Sequence, residues 1–549
     1  MYSTLIEYLD HWTKKQPNDI WLRQPKGEVV EEWSWQQASE QIHAIAAWQQ
    51  QTLGGPGVNV GLLSRNRPHW FMADLASIAA GNATVPMFTT LPRDTAEYVM
   101  DFTDMQLLFV GETENWEKIE PVLPEGITLV TLPGVDLARE HLRWDDLVAA
   151  HHGQRATHSA QADDLISIVF TSGTTGMPKG VMQSHAANIV PVNRFKSAFD
   201  TPANARLFSY LPLSHIAERQ VVEFSSVING GSVYFNENMT TLLRDLQACR
   251  PHLLFGPPRV WEQLQQGIIA QFGSQDALEA ALAKDKEATG KMVRDNLGLN
   301  EAMYLLTAAA PTPPALIHWY SELGIELMEG FGQTEAMGVS ANTREHRKIG
   351  SIGRAVEGVE VRLSEESELL IRATGLAAGY YKMPEKTAET FVDGWLHTGD
   401  KARIDEDGFI YITGRVKDYF KTIQGKFVAP TAIENEFAKS PHSEQCCLLG
   451  RGYSKTVIVC VLSELAQKSA GQTIDQDLIA QVEQLNQTVE KHARVGAIIV
   501  SREPWTIDNG MLTPTMKIRR EQVEEQFGEQ ARQLAQDAAV QRKILLVRE

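Results

Sequence analysis

Short apolar runs separated by amphipathic segments fill the first 170 residues of the chain. Each run has the length and composition of a buried strand, whereas the segments between them carry apolar residues at helical spacing, as in Phe71, Leu75 and Ile78 after Pro68. Strands that alternate with helices in this way form open parallel sheets. We therefore predict an α/β region with strands in 57–64, 83–88, 107–111, 127–132 and 164–170.

The pattern changes along the rest of the chain. Alternation continues to about residue 330, and from about residue 350 short strands and turns replace it, with a hairpin at Asp405–Gly408. Beyond Arg415 the pattern is α+β and ends in a helical tail. We predict a large N-terminal domain of parallel-rich sheets with flanking helices and a β-rich subdomain, then a small mobile α+β C-terminal domain. The predicted bounds are 1–414 for the first domain, 415–418 for a hinge and 419–549 for the second domain.

The composition argues against several classes of function. The chain has 549 residues, enough for two or more domains, and its net charge of -18 disfavours a general affinity for nucleic acid. Its four cysteines have no metal or redox spacing, so we expect core residues in a reducing compartment. Because the sequence has neither a signal-peptide pattern nor an apolar run long enough to cross a bilayer, we predict a cytoplasmic protein. Peripheral membrane contact and a homodimer stay open.

The strand at 164–170 runs directly into the glycine-rich segment TSGTTGMPKG (171–180), at the end of a strand where open α/β sheets bind ligands. Glycines let the backbone approach a polyphosphate, hydroxyls offer donors and a lysine supplies positive charge. The segment lacks the ending of a Walker A loop, which disfavours an ordinary P-loop hydrolase. A glycine-rich surface loop is the plainer interpretation, but the preceding strand and the lysine favour phosphate binding. The candidate contacts are Thr171, Ser172, Gly173, Thr174, Thr175, Gly176 and Lys179.

This loop resembles the phosphate loop of the adenylate-forming (AMP-binding) enzymes, which include acyl-CoA synthetases, adenylation domains of peptide synthetases and firefly luciferase. Further motifs follow in the family's order, so the resemblance covers nearly the whole chain. They are EGFGQTEA (329–336), GYYKMPEKTAETF (379–391), WLHTGD (395–400), GRVKDYFKTIQGKFVAP (414–430) and NGMLTPTMKIRR (509–520). Three finer matches resemble long-chain acyl-CoA synthetases, including the bubblegum-type branch. They are NRPHWFMADLASIAAG (66–81), SYLPLSHIAERQ (209–220) and FGPPRVWEQL (255–264).

The resemblance implies a nucleotide pocket. Phe331 would lie against adenine and Thr334 would bind the α-phosphate. Glu335, with Thr171, would hold Mg²⁺ through oxygen, the ligand atom that magnesium prefers. Asp400 would bind both ribose hydroxyls. The remaining implied nucleotide contacts are Ala309, Glu329, Gly330, Gly332, Gln333, Arg415 and Lys421.

The resemblance also implies catalytic and mobile groups towards the C-terminus. Lys517 would stabilise the negative charge that gathers on the α-phosphate during adenylation. Arg519 and Arg520 after it are expected to form a solvated basic patch. Lys417 matches the hinge about which the C-terminal domain rotates, and Gly425 matches the loop that lines the coenzyme A channel.

Two positions have more than one interpretation. His215 would gate the route from the carboxylate pocket to the thiol entrance, or it is a buried structural histidine. Ala308 in TAAAPTPP (307–314) stands where the family has glycine, which would narrow or reposition the adenine side of the pocket. This departure removes no charged catalytic group.

The leading hypothesis is ATP-dependent activation of a fatty acid of medium or long chain. The acid and ATP would give an acyl-adenylate and pyrophosphate, and coenzyme A would then displace AMP. ATP, Mg²⁺ and coenzyme A are therefore the expected cofactors and co-substrates. Three alternatives remain, namely acyl transfer to a separate carrier protein, luciferase-like oxidation, and a nucleotide-binding scaffold without catalysis. The charged residues retained in the motifs weigh against the scaffold.

Overall fold

The chain begins with two helices and a β-hairpin. The computed structural model describes residues 2–171, 177–467, 471–513 and 516–549. Thr4 and Ser34 cap the two helices through reciprocal side-chain bonds, and the hairpin strands pair antiparallel. The elements are α1 (Leu5–Lys15), β1 (Ile20–Lys26), β2 (Val29–Ser34) and α2 (Trp35–Thr52).

The predicted alternation of strands and helices follows and is confirmed. The elements are β3 (Asn59–Leu63), α3 (Pro68–Ala79), β4 (Ala83–Met87), α4 (Arg93–Phe102), β5 (Leu107–Val110), α5 (Trp116–Ile119), β6 (Thr128–Thr131), β7 (Leu142–Arg143), α6 (Trp144–Ala150), β8 (Leu165–Thr171) and β9 (Lys179–Ser184). In the described residues the strands form one sheet in the order β7-β6-β5-β3-β4-β8-β9. All pairs are parallel except β8–β9. Helix α3 is buried along its whole length, which explains its continuous apolar sequence.

A second sheet forms the other half of the large N-terminal part. Its elements are α7 (His185–Ala198), β10 (Arg206–Ser209), α8 (Ile216–Glu218), α9 (Ser225–Asn229), β11 (Ser232–Phe235), α10 (Leu242–Cys249), β12 (Leu253–Gly256), α11 (Pro258–Phe272), α12 (Gln275–Lys284), α13 (Lys286–Leu297), β13 (Tyr304–Thr307), α14 (Pro314–Glu322), β14 (Leu327–Gln333), β15 (Ala336–Ala341) and β16 (Arg354–Ala355). A π-helical turn, Arg219–Phe224, joins α8 to α9. The sheet order is β16-β15-β14-β13-β12-β10-β11-β1-β2, so the N-terminal hairpin completes one edge.

The main apolar core is shared by both sheets. Trp21 of β1 stacks on Trp35 of α2 with ring centroids 4.4 Å apart. Phe71 of α3 contacts Phe235 of β11 with centroids 5.0 Å apart, and Val60 of β3 belongs to the same cluster. One shared core fixes the two sheets relative to each other, and therefore also the loops at their edges.

The β-rich region and its predicted hairpin are confirmed. Its elements are β17 (Val359–Leu363), β18 (Glu368–Ala373), α15 (Pro384–Thr390), β19 (Phe391–Val392), β20 (Trp395–Ile404) and β21 (Ile410–Arg415). The segment Asp405–Gly408 connects the antiparallel strands β20 and β21, and Gly408 supplies the positive φ, +82°, that the turn requires.

The C-terminal part has its own sheet. Its elements are β22 (Phe420–Lys421), β23 (Phe427–Val428), α16 (Pro430–Phe437), β24 (Ser443–Leu449), β25 (Thr456–Leu462), α17 (Glu464–Gln467), α18 (Gly471–Thr488), β26 (Val495–Ser501), α19 (Arg520–Gln541) and β27 (Leu545–Arg548). In the described residues the sheet order is β24-β25-β26-β27. Alternate residues of β24 belong to two apolar clusters, one shared with α16 and α18 and the other with α19. The predicted α/β class, with a large N-terminal and a small α+β C-terminal part, is confirmed.

The predicted helical tail is confirmed as α19, but the chain does not end in it, and a second expectation about this region is wrong. The helical tail ends at Gln541, Arg542 takes a left-handed φ of 55°, and β27 then pairs in parallel with β26. Arg520 does not belong to a solvated patch, because Nη1 donates to the carbonyl of Leu448 at 2.7 Å and Nη2 lies 2.8 Å from Glu434. A half-buried carboxylate and the carbonyl of an edge strand bind this guanidinium, and the sequence pattern shows neither of them.

The structure bears on two predictions made from composition, one about the cysteines and one about membrane-spanning segments. All four cysteines are free and buried, as expected for core residues. In the part of the chain that the structure describes, no helix combines the length and apolar character that crossing a bilayer requires.

Candidate functional site

The two ends of the predicted phosphate loop lie side by side. Thr171 ends β8, Lys179 begins β9, and the two are partners in the antiparallel register. Lys179 Nζ lies 5.1 Å from the centroid of the Tyr380 ring. Burial lowers the pKa of Lys179, and the positive charges of Lys386 and Lys417 act in the same direction. The other predicted loop contacts lie outside the described residues. They are Ser172, Gly173, Thr174, Thr175 and Gly176.

Glu335 is bound by a residue to which sequence analysis gave no role. Tyr380 Oη donates to Glu335 Oε1 at 2.7 Å. Val181 of β9 forms a bridge with Tyr380, and Gln183 Nε2 of the same strand donates to the carbonyl of Thr334 at 2.7 Å. The strand that follows the phosphate loop therefore positions both Thr334 and Glu335. The signal for Tyr380 was the motif GYYKMPEKTAETF, which the resemblance contains without an assigned function.

Asp400 accepts hydrogen bonds from two sides. Arg415 Nη1 on β21 donates to Oδ1 at 2.8 Å, and Gln333 Nε2 at the end of β14 donates to Oδ2 at 2.6 Å. The side chain of Asp400 is only 8% exposed. Burial raises the pKa of Asp400, although Arg415, Lys517 and Gln333 oppose the shift. Each carboxylate oxygen keeps a second acceptor position, so the protein donors leave hydrogen-bonding capacity for a ligand with two hydroxyls.

Residues 329–332, which precede Gln333 on β14, contact different parts of the N-terminal region. Phe331 is half-buried and packs against the apolar cluster of the β-rich sheet. Gly330 and Gly332 belong to the same strand, where a Cβ on Gly332 would come within 3.3 Å of a neighbouring carbonyl. Glu329 Oε2 accepts from the backbone N–H of Gly350 at 2.8 Å, and burial raises the pKa of Glu329 to about 7. The carboxylate of Glu329 thus binds the chain's own backbone.

The segment TAAAPTPP tolerates the missing glycine at 308. Ala308 is half-buried and packs against the main core. Its neighbour Ala309 is exposed and adopts a left-handed φ of +70°, which costs a residue with a Cβ about 1 kcal/mol. The conformational strain in this wall is therefore at Ala309 rather than at Ala308.

Lys517 reaches the same cleft from the C-terminal part. The backbone N–H of Thr513 donates to the carbonyl of Lys517 at 2.8 Å, and the N–H of Lys517 donates to Thr513 Oγ1 at 3.1 Å, so the two residues are held side by side. Burial lowers the pKa of Lys517, Arg415 adds to the shift, and the negative charges of Asp400 and Glu335 oppose it. The side chain keeps access to solvent although protein surrounds the cleft. The ammonium group therefore interacts with the three charged residues that the sequence assigns to nucleotide and metal.

His215 lies near Lys517 at the start of α8. Its Nδ1 accepts from the backbone N–H of Ala217 at 3.2 Å. Burial and the positive charge of Lys517 lower the pKa of His215 to about 4, so the ring is neutral at neutral pH. Asn66 Nδ2 donates to the carbonyl of Leu211 at 2.6 Å and holds the preceding loop. His215 thus caps the start of α8 next to the cleft, and its role as a gate stays a prediction.

Lys421 and Gly425 lie on an exposed hairpin of the C-terminal part. Lys421 Nζ lies 4.8 Å from the ring centroid of Phe427, whose side chain is 61% exposed. Gly425 occupies the turn with φ +74° and open space around it. Lys417 is also exposed, and its charge acts on Lys179. Among the described residues, the contacts of this hairpin do not include Asp400.

Two exposed ion pairs join the C-terminal part to the N-terminal part in this arrangement. Arg259 Nη2 lies 3.0 Å from Glu444 Oε1, and Lys118 Nζ lies 3.6 Å from Asp508 Oδ1. Exposed pairs of this kind contribute only about 0–1 kcal/mol each. These two pairs therefore add little to the stability of this interface.

An apolar cavity lies close to the cleft in sequence, because Met337, two residues after Glu335, is one of its lining residues. Its walls come from α7, the π-helical turn, and strands of the second sheet. Its volume of about 70 Å³ is several times the ~15 Å³ that one water needs, so the space admits a chain of atoms. The larger apolar side chains among its lining include Val192, Phe195, Leu207, Val221, Leu253 and Met337.

The family of the protein follows from comparison with known sequences. The model of the AMP-binding enzyme family matches residues 9–381, and that of the AMP-binding enzyme C-terminal domain matches residues 417–538. The protein therefore belongs to the AMP-binding enzymes, and the resemblance stated from the motifs is confirmed.

Individual relatives share between a quarter and a third of their residues with this chain. The chain is 28% identical to the long-chain-fatty-acid–CoA ligase FadD15 of Mycobacterium bovis, over 89% of this chain and 90% of the relative. It is 27% identical to human long-chain-fatty-acid–CoA ligase 1, over 96% and 86%. Its fold is similar to that of the A domain of a carboxylic acid reductase from Segniliparus rugosus, solved with AMP and a co-purified carboxylic acid. That similarity has a TM-score of 0.79 at 22% identity, over 97% of this chain and 93% of that chain.

Proposed function

We propose that this protein is an ATP-dependent fatty acid–CoA ligase that forms an acyl-adenylate as its intermediate. The observation that carries the proposal is the convergence of Lys517, Arg415, Asp400 and Glu335 on one cleft that adjoins an apolar cavity. The cleft suits a nucleotide and the cavity suits an aliphatic tail. Relatives that are long-chain-fatty-acid–CoA ligases support fatty acids as the substrate class.

The first half-reaction joins two anions. A carboxylate oxygen of the fatty acid attacks the α-phosphorus of ATP, the new O–P bond forms, and the bond to the β-phosphate oxygen breaks to release pyrophosphate. Lys517 and Arg415 supply positive charge where negative charge develops on the α-phosphate. Thr334 adds a hydroxyl donor there, and Thr171 and Lys179 would bind the leaving phosphates.

Mg²⁺ would bind at Glu335 with Thr171. Tyr380 occupies Oε1 of Glu335, and Oε2 has no protein partner among the described residues, so one carboxylate oxygen suits a hard cation. Since those residues contain no cluster of three or more metal-binding side chains, phosphate oxygens and water would complete the coordination. When bound, the cation neutralises charge on the phosphates.

The second half-reaction requires a different arrangement of the two domains. We propose domains at 1–414 and 419–549 that rotate about a hinge at 415–418, with Lys417 at its centre. The exposed hairpin with Lys421 and Gly425 would then cover the cleft and line the channel for coenzyme A. The thiolate attacks the acyl carbonyl, a C–S bond forms, and AMP leaves with the C–O bond electrons. The neutral ring of His215 would allow the thiol to pass near the cleft.

Pyrophosphate release tests the proposed function. ATP and Mg²⁺ are supplied with carboxylates of graded length, with and without coenzyme A, and pyrophosphate, AMP and thioester are quantified. We expect release that peaks at one chain length and thioester only when coenzyme A is present. Pyrophosphate without thioester would instead favour a carrier-protein acceptor, and no release with any acid would refute the proposal.

Lys517→Ala should slow acyl-adenylate formation by about 10²–10³, because one preorganised cation at the α-phosphate is lost. Single-turnover pyrophosphate release measures this step. Lys543→Ala, a change of an exposed lysine, is the matched control and should leave the rate unaltered. A normal rate in Lys517→Ala would remove this residue from the mechanism.

A reversible cross-link across the Arg259–Glu444 contact should separate the two half-reactions. Both residues are replaced by cysteine and joined by a cleavable bismaleimide. The four native cysteines are buried, so the reagent meets only the new pair. We expect the linked protein to keep pyrophosphate release and to lose thioester formation, because the C-terminal part can no longer rotate.

Cleavage of this cross-link with a reductant should restore the thioester, and each single-cysteine variant treated with the same reagent is the control. Undiminished thioester formation in the linked protein would contradict domain rotation.

Tyr380→Phe should weaken the binding of Mg²⁺, because the hydroxyl that orients Glu335 is removed. We expect the half-saturating Mg²⁺ concentration to rise about tenfold, a typical effect of removing a partner of a metal ligand. Mn²⁺ binding in the presence of a non-hydrolysable ATP analogue measures affinity apart from turnover. Tyr381→Phe is the matched control, since the Tyr381 hydroxyl instead contacts Asn59 at 3.1 Å. Equal effects of the two changes would mean that Tyr380 only supports the fold.

A further inference from the structure

Two of the three finer sequence matches contribute fully buried charges that the proposed mechanism does not use. Asp74 lies in NRPHWFMADLASIAAG (66–81) on α3, and Arg219 lies in SYLPLSHIAERQ (209–220) at the start of the π-helical turn. Both side chains have 0% exposure, and so has that of Glu223, one turn further on. Burying charged groups is costly unless they pair with one another, so this cluster requires an explanation.

Arg219 holds the cluster together. Its Nη2 donates to Asp74 Oδ2 at 2.6 Å, its Nε to Glu223 Oε2 at 3.1 Å and its Nη1 to Ser167 Oγ at 2.7 Å. The rigid planar fork of arginine lets one side chain bind partners in three directions. We call Asp74, Ser167, Arg219 and Glu223 the buried hub.

The hub is anchored to the first sheet. Ser167 of β8 is the register partner of Thr84 of β4. Ser167 Oγ donates to the carbonyl of Thr84 at 2.9 Å, and Thr84 Oγ1 donates to Asp74 Oδ1 at 2.6 Å. The guanidinium is thus bound to α3 and β8 directly, and to β4 through Ser167.

The hub contains two carboxyls and one guanidinium. Burial raises the pKa of Glu223 well above its usual range, and the nearby Asp74 carboxylate adds to the shift while Arg219 opposes it. Trp70 and Phe224 place their rings 5.3 and 4.8 Å from the guanidinium carbon, so aromatic faces cover the remaining charge.

The opposite face of the π-helical turn forms the wall of the apolar cavity. Gln220, Val221 and Ser225 line the cavity, whereas Arg219 and Glu223 point to the hub. Gln220 Nε2 also donates to Asn188 Oδ1 on α7 at 2.8 Å, which ties this wall to the one opposite. A π-helical turn is wider than an α-helical one and occurs frequently at functional sites. Its geometry persists only where its surroundings impose it.

We infer that the buried hub is a positioning device that sets the shape of the acyl cavity, and hence the chain-length preference of the enzyme, by holding the π-helical turn against the first sheet. This inference rests on the proposed function, because it takes the cavity to bind the acyl chain. Asp74, Ser167, Arg219 and Glu223 touch no substrate, and they act through Gln220, Val221 and Ser225.

Asp74→Asn is the test variant. It keeps the side-chain volume and leaves the contact between Arg219 and Glu223 in place, so the protein should fold. We expect KM for the preferred acid to rise about fivefold or more and the profile over chain length to broaden, since small displacements of a positioning group have large kinetic effects. KM for ATP should stay within about twofold, because none of the proposed nucleotide contacts lies on α3, the helix that carries Asp74.

Asp245→Asn is the matched control. Asp245 is also fully buried and lies 2.7 Å from Arg244, but it does not line the cavity. This variant should lower the melting temperature and leave the chain-length profile unaltered. Ser167→Ala removes only one donor–acceptor group of the hub, and it should give a smaller shift in the same direction as Asp74→Asn. If Asp74→Asn fails to fold, the chain-length profile of Ser167→Ala tests the role of the hub instead.

An unaltered chain-length profile in a folded hub variant would overturn the inference, as would equal increases of KM for acid and ATP. Displacement of a fluorescent fatty acid, measured without ATP, adds a readout apart from turnover, and weaker displacement by the preferred acid in the hub variants is expected. Wild-type protein that releases no pyrophosphate with any acid refutes the proposed function instead. A sharp wild-type profile that the hub variants retain refutes only the hub.

Discussion

The ion pair between Arg415 and Asp400 is the contact on which the geometry of the cleft depends. Its 2.8 Å bond joins the last residue of β21 to β20, and the other oxygen of Asp400 binds Gln333 at the end of β14. The β-rich sheet and the second sheet are thereby connected through one carboxylate. The chain leaves β21 at Arg415 and continues into the C-terminal part, which carries Lys517.

The buried hub and the cleft both contain charged side chains, but in different proportions of positive and negative groups. In the buried hub, two carboxyls bind one guanidinium, and all three groups are shielded from water. In the cleft, Lys179, Arg415 and Lys517 face only two carboxylates, and the pKa of each of the two lysines is lowered. An excess of positive charge is unfavourable in an empty cleft and favourable once a polyphosphate is bound. The buried hub positions the wall of the acyl cavity, whereas the positive charges of the cleft favour the binding of anions.

Sequence reasoning predicted the parts of the structure that depend on local pattern. Buried strands such as 107–111 and the hairpin at Asp405–Gly408 follow from apolar runs and turn residues, which act over a few positions. The contact between Tyr380 and Glu335 spans 45 residues, and the environment of Arg520 comes from a strand edge some 70 residues away. Such contacts arise when separate elements pack, and a single sequence does not encode them in its spacing. Within the site, motif resemblance supplied residue identities, but it gave no geometry.

The burial of the four cysteines has a chemical consequence. Burial raises the pKa of Cys249, Cys447 and Cys460 to about 12 each, and that of Cys446 well above its usual range. Thiolates are the nucleophilic form of cysteine, and these side chains remain protonated and covered. A protein that prepares a reactive mixed anhydride for an incoming thiol therefore exposes no sulfur nucleophile of its own. Self-acylation is suppressed by the placement of its cysteines.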